Sequence, residues 1–227
     1  FTATPLYFGG ELYEPQTTAC FIEQLKPGQL FIDIGANHGY FALFAATLVG
    51  ATGQVVAFEP NPRVFEQLRT HVALNHFEGN IRLESCALAD RPEPAARLYV
   101  SQVETNSGLS SLTPNEHTLA LGGLSEDATV AVPVDTFDRW LAASRLLTQR
   151  DAIDLVKIDV EGAEARVIAG MQETLAAGVI RALIVETTWD GPAHQQLWAA
   201  GYDVRALDRG DGGLCNLLFT RSRHGQR

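Results

Sequence analysis

The sequence predicts an α/β fold: a mostly parallel sheet with helices on both faces, closed by one antiparallel hairpin. Three observations predict it. Apolar, β-branched runs of strand length recur along the chain, at Leu30–Ile34, Gln54–Phe58, 153–158 and 180–185. Stretches with apolar residues at helical spacing separate them, and strands that alternate with helices build parallel sheets. The last two strands, 201–207 and 214–220, share only a tight glycine turn at 210–213, so they pair antiparallel.

Each element has its own justification. Residues 1–29 form an entry segment, with a short helix over 15–25 closed by Lys26-Pro27-Gly28, a stop-and-turn signal. Leu30–Ile34 is a buried strand, Gly35 to Gly39 a turn, and the Ala-, Leu- and Phe-rich run from Tyr40 a helix packed on the sheet. Gln54–Phe58 is the second strand. Glu59-Pro60-Asn61-Pro62 is a loop with Pro62 in the first helical turn, and a helix over 63–75 carries Val64, Phe65, Leu68, Val72 and Leu74. A third strand spans 81–87. The region 90–129 is rich in Pro, Gly, Ser and Thr; short strands at 97–100 and 129–134 pair as a hairpin arm. The stretch 101–129 between them is too long for a simple turn and reads as a substrate lid. Helices follow at 134–147, 163–177 (ended by Gly178) and 192–200. The fourth and fifth strands are 153–158, broken by Asp159-Val160-Glu161-Gly162, and 180–185 with Glu186 at its end.

Composition narrows the function classes. The 227 residues suit one domain, and a core of that size needs no disulfide or metal staple. Cys20, Cys86 and Cys215 are scattered and form no CxxC pair, which fits a reducing, cytoplasmic setting. With 27 acidic and 17 basic residues the formal charge is -10, which argues against a broad nucleic-acid surface. No apolar run reaches membrane-span length and no signal peptide is visible; Phe1 in place of Met points to an excised or trimmed piece.

The chemistry concentrates at the carboxyl ends of the strands, where open α/β sheets bind ligands. The first strand ends in Asp33-Ile34-Gly35-Ala36-Asn37-His38-Gly39, and the helix start beyond offers free N–H donors to an anionic group. Glu59 follows Gly35 by 24 residues, the place of an acid that accepts hydrogen bonds from a ribose diol. The third strand contributes Cys86-Ala87, the fourth Asp159 and Glu161, the fifth Glu186. This is the floor of a nucleotide-type cofactor site. The turn is Gly35-x-x-x-Gly39, so neither the G-x-G-x-x-G pyrophosphate fingerprint nor a P-loop is present.

DIGANHGYFAL at 33–43, AFEPNP at 57–62, VDTFDRW at 134–140 and LVKIDVEGAE at 155–164 together resemble the FkbM family of S-adenosylmethionine-dependent methyltransferases, over about residues 28–220. The resemblance implies a Rossmann-like class I methyltransferase fold: a seven-stranded, mostly parallel sheet with a C-terminal antiparallel strand. It implies methyl transfer from S-adenosylmethionine, mostly to hydroxyl oxygen, on a small-molecule or glycan acceptor. Carried over by position, Asp33, Gly35, Ala36, Asn37, His38 and Gly39 line the methionine part of the cofactor. Glu59, with Pro60 and Asn61, holds the ribose, Cys86 and Ala87 sit by the adenine, and Asp159 lies under the reacting centre. The general base is sought among Asp159, Glu161, His38 and His117, with Asp159 and Glu161 first. Lys157 faces the same side as Asp159 and needs a carboxylate partner if buried. Asn106, Ser107, His117 and Trp189 are candidates for acceptor contact. Asp159 and Glu186 could converge on Mg²⁺, but the catechol-type lysine three positions after the strand acid is here Gly162, so no metal is expected. A carboxyl or nitrogen acceptor, a binding module that kept the fold, and an NAD-dependent oxidoreductase stand as the alternatives.

Overall fold

The computed structural model describes residues 12–100, 110–113, 128–208 and 213–222. In chain order these form α1 (Pro15–Gln24), β1 (Leu30–Ile34), α2 (Tyr40–Val49), β2 (Gln54–Phe58), α3 (Pro62–Leu74), β3 (Ile81–Glu84), β4 (Ala87–Leu88), β5 (Glu93–Tyr99) and β6 (Thr129–Asp135). There follow α4 (Phe137–Ser144), β7 (Leu155–Ile158), α5 (Glu164–Ala169), α6 (Gln172–Ala177), β8 (Ala182–Thr188), α7 (Pro192–Ala199), β9 (Tyr202–Ala206) and β10 (Leu214–Arg221).

The main sheet has seven strands in the order β3-β2-β1-β7-β8-β10-β9. All are parallel except β10, which lies antiparallel between β8 and β9. β1, the first strand in the chain, sits near the centre, and the sheet grows outward from it in both directions. That makes the gap between β1 and β7 the point where the strand order reverses, the usual ligand site of such sheets.

Strand alternation divides the core into two layers. Leu30, Ile32, Ile34, Val56 and Ile158 pack on one face with α4 to α7. Phe31, Val55, Ala57 and Leu155 pack on the other with α1, α2 and α3. In that second layer Phe21 lies against Phe31 and Phe41, with ring centroids 5.0 and 4.9 Å away. Full burial of such a side chain contributes about 1.5–3 kcal/mol. Asp33 and Lys157, partners across β1 and β7, share the parity of Phe31 and Leu155 and so point into this layer.

The structure corrects several boundaries. The strand expected over 81–87 stops at Glu84, and Ala87–Leu88 belongs to a second sheet of three strands, β4-β6-β5. The hairpin arm is there, but β5 begins at Glu93 and β6 runs to Asp135, which delays helix α4 to Phe137. Thr136 caps that helix by accepting the Arg139 N–H. The helix expected over 163–177 is two helices, broken at Gly170 and Met171; Gly170 packs so close to the Ala89 carbonyl that a Cβ there would stand 2.0 Å from it. Glu186 lies inside β8, which continues to Thr188. Among the described residues no helix is long and apolar enough to cross a membrane.

Candidate active site

A cavity of about 150 Å³ opens at the carboxyl ends of β1, β2 and β7. Its walls include Gly35, Asn37, Glu59, Pro60, Ala87, Leu88, Asp159 and Glu161, closed by Leu98 from the small sheet and by Ser110 and Leu112 from a short strap, residues 110–113.

The glycine turn is dictated by packing. Gly35 has φ +89°, and a Cβ there would meet the Asp159 carbonyl oxygen at 1.8 Å. Gly39, at φ +93°, would press a Cβ into Leu68 at 2.4 Å. The glycines thus let the β1 turn close against β7 and α3. Asn37 also takes a left-handed conformation, φ 51°, which asparagine tolerates.

Glu59 anchors one end of the cavity. Its Oε2 accepts the Asn37 N–H at 2.9 Å and its Oε1 the Asn61 N–H at 2.8 Å. The carboxyl is buried, and burial pushes its pKa up to about 7 despite those two bonds. Each oxygen keeps a further lone pair for a ligand hydroxyl. Asn61 then caps α3 by accepting the Arg63 N–H, and its side-chain amide donates to Ser110 Oγ at 3.3 Å.

The other end is a cluster of carboxyls around one ammonium. Lys157 is 2% exposed, donates to Asp159 Oδ2 at 2.6 Å and stands 4.7 Å over the Phe41 ring. The Asp159, Glu14 and Asp33 carboxylates hold its pKa above the lysine range against the opposing effect of burial. Asp33 is also buried, and burial takes it to about 7, moderated by Lys157. Glu161 rises to about 8 through burial and the neighbouring Asp159 and Glu164. Glu186 rises to about 9, first through Asp159 and then burial and Glu161. Five carboxyls (Glu14, Asp33, Asp159, Glu161, Glu186) therefore share one lysine among the described residues.

Glu161 is held at φ 57°, a left-handed conformation that costs a non-glycine residue about 1–2 kcal/mol. The loop that imposes it is fixed by Glu164, whose Oε1 accepts the N–H groups of Val160 and Gly162 at 3.2 and 3.0 Å. Backbone support, a role that position alone leaves open to Glu161, belongs to Glu164. The strap adds a second tie: Ser111 Oγ donates to the Glu161 carbonyl at 2.7 Å, and Ser111 pairs with the edge of β5 at Tyr99.

Of the residues proposed from sequence, Gly35, Asn37, Glu59, Pro60, Ala87, Asp159 and Glu161 come together around the cavity. Asp33 lies beneath it, and Ala36, Gly39 and Asn61 shape its walls from behind. The His38 carbonyl contacts His71 Nδ1 at 2.8 Å, and burial lowers the pKa of its ring. Cys86 sits in the link between the two sheets, its thiol raised to about 12 by burial. Trp189 is half exposed and packs at a tilt against His194, away from the cavity walls. Asn106, Ser107 and His117 lie outside the described residues. Sequence reasoning missed Tyr13, a wall of the cavity, and Glu14, which joins the carboxyl cluster. Tyr13 is seated by Thr18 Oγ, which donates to its carbonyl at 2.7 Å, and Glu14 by Asn216 of β10 at 3.1 Å. Their only signal was position, an aromatic-acid pair just before the Pro15 helix start.

The residues fit S-adenosylmethionine. Glu59 matches a ribose diol, the buried Asn37 Oδ1 has no partner among the described residues, and the excess of carboxyls over one ammonium suits a ligand with two positive centres.

Comparisons agree. The methyltransferase FkbM domain profile matches residues 33–207. The 31-O-demethyl-FK506 methyltransferase FkbM of Streptomyces tacrolimicus is 30% identical, over 92% of this chain and 78% of its own length. The 2-O-methyltransferase NoeI of Sinorhizobium fredii is 29% identical, over 66% of this chain and 60% of its own. A putative rRNA methylase from Clostridium thermocellum superposes with a TM-score of 0.52 at 9% identity, covering 91% of this chain and 94% of that one, a likeness of fold. The chain belongs to the FkbM methyltransferase family, and its cofactor is S-adenosylmethionine.

Proposed function

We propose that the protein methylates a hydroxyl oxygen on a small molecule, sugar or glycolipid. The observation that carries this reading is the spacing of functions along one cavity, with Glu59 at one end and Asp159 and Glu161 at the other. The relatives named for 31-O- and 2-O-methylation support an oxygen acceptor. The net charge of -10 supports a small acceptor over a nucleic acid.

The geometry supports the following residue roles. Glu59 takes the ribose hydroxyls. Ala87, Leu88, Leu98 and Leu112 offer an apolar slot for the adenine. The Gly35–Asn37 backbone and the Asn37 side chain receive the methionine part. The cofactor supplies a methyl group already activated on a sulfonium. What is left to the chain is to align the acceptor oxygen and take its proton, and alignment alone contributes several kcal/mol. Asp159 is tied to Lys157, so it serves as the fixed negative charge of the site. Glu161, raised to about 8 at the cavity wall, is the proton acceptor, because a base acts best with a pKa near the working pH.

Isothermal titration with S-adenosylhomocysteine on wild type and Glu59→Ala tests the cofactor placement. Binding by the wild type and a loss of roughly 1–3 kcal/mol in the variant is the expected result. Equal affinity in both proteins would remove Glu59 from the cofactor site.

A further inference from the structure

Beside the main cavity, on the small sheet, lies a second and larger concavity of about 370 Å³. Three arginines line it: Arg91 after β4, Arg97 on β5 and Arg166 on α5. Tyr99 stands two residues from Arg97 on the same strand and so on the same side, opposite to Leu98, which lines the main cavity. Leu112 of the strap lines both spaces, so the two are neighbours that share this side chain as a common wall.

The charge balance of this groove runs against that of the chain. The protein carries 17 basic and 27 acidic residues, yet here three guanidiniums face two carboxylates, Asp90 and Glu93. Asp90 is committed to Arg166, whose Nε donates to it at 2.7 Å. The Arg91 and Arg97 guanidiniums make no hydrogen bond or salt bridge among the described residues, and Arg91 adds only a minor Coulombic pull on Asp90. Arginines without carboxylate partners on a solvated face are common, but two of them in a concavity that adjoins a transfer site are placed to hold something. A guanidinium presents a planar fork that matches the oxygens of phosphate, sulfate or carboxylate, and Tyr99 adds a hydroxyl donor.

We propose that this groove is an anchoring subsite for an oxyanion carried by the methyl acceptor. Arg97 and Arg91 bind the anionic group, Arg166 closes the groove from the α5 side, and the hydroxyl to be methylated reaches past Leu112 into the main cavity. The inference rests on the methyltransferase reading for what docks, though not for whether an anion docks. It makes the acceptor a negatively charged molecule, selected at a distance from the reacting atoms.

The test uses inorganic phosphate, sulfate and acetate as probes on the full chain, followed by backbone amide shifts in solution NMR, with and without S-adenosylhomocysteine. Saturable shifts on Arg97, Tyr99 and Leu112 are expected, with affinity falling about tenfold in Arg97→Gln, the loss of one charged hydrogen-bond pair. The ranking of the three anions tells which oxyanion the groove prefers. S-adenosylhomocysteine should bind Arg97→Gln as it binds the wild type, which also shows that the variant is folded. Shifts scattered over the surface, or an affinity unchanged in Arg97→Gln, overturn the proposal. Failure of the wild type to bind S-adenosylhomocysteine would count against the cofactor site alone, and the anion titration would still decide the groove.

Discussion

Glu161 is the residue on which the proposed chemistry turns. It sits in a strained backbone conformation, on a loop tied down by Glu164 from within the loop and by Ser111 from the strap. Strain kept in place by so many contacts is a mark of function. Glu161→Gln should lower kcat by about 10²–10⁴-fold and leave S-adenosylhomocysteine affinity within a few-fold, which single-turnover kinetics and titration would separate. A kcat near wild type would move the base elsewhere. Gly35→Ala tests the turn instead. Its Cβ would overlap the Asp159 carbonyl and sit at positive φ, so a loss of about 2–5 kcal/mol of unfolding free energy is expected in denaturant titration. A loss under about 1 kcal/mol would mean that the turn relaxes freely.

Among the elements, those built from local signals were legible in the sequence. β1, β2 and their turns could be read because apolar runs end at glycines and prolines, and Asn61 and Pro62 start α3 as caps should. What escaped was set by contacts far along the chain. The strand at 81–87 looks continuous because Cys86 and Ala87 add to the apolar Ile81 and Leu83 of β3, while the jump to a second sheet is decided by pairing with β6. Gly170 is packed against the distant Ala89 carbonyl, and Glu14 is held at the site by Asn216. The Glu59 and Asp159 placements were legible because strand ends position them. The strap was not, since its place is fixed by bonds to residues far along the chain, Ser110 to Asn61, Ser111 to Glu161 and Thr113 to Gly162. Ser111→Ala should therefore raise the acceptor KM several-fold with little change in melting temperature. A melting temperature that falls by more than about 4 °C would recast the strap as part of the core.

For the whole molecule, the carboxyl cluster couples cofactor binding to protons. Asp33, Glu59, Glu161 and Glu186 have folded pKa values of about 7, 7, 8 and 9, against ordinary values of 3.8 for aspartate and 4.5 for glutamate. Between those limits the folded chain binds more protons than the unfolded one. The stability these groups contribute is complete below about pH 4 and declines as pH rises through the folded values. The cofactor-free protein should therefore melt at lower temperature at about pH 9 than at about pH 6, by scanning calorimetry; a flat profile would deny the shifts. A cationic ligand favours the ionised carboxyls, so S-adenosylmethionine should release more protons at about pH 7.5 than the uncharged-sulfur S-adenosylhomocysteine. Titration in two buffers of different ionisation enthalpy reads that difference directly.

The place of β10 bears on how the chain comes to be assembled. β9 is made before β10, yet it touches the sheet only through β10, which fills the slot beside β8. Until that strand emerges from the ribosome, β8 presents a long bare edge of Leu183, Ile184 and Val185 with nothing to cap it. The nascent protein thus passes through a sticky interval between the emergence of β8 and that of β10, and a stall or nonsense codon before residue 214 would leave a product prone to edge-to-edge aggregation.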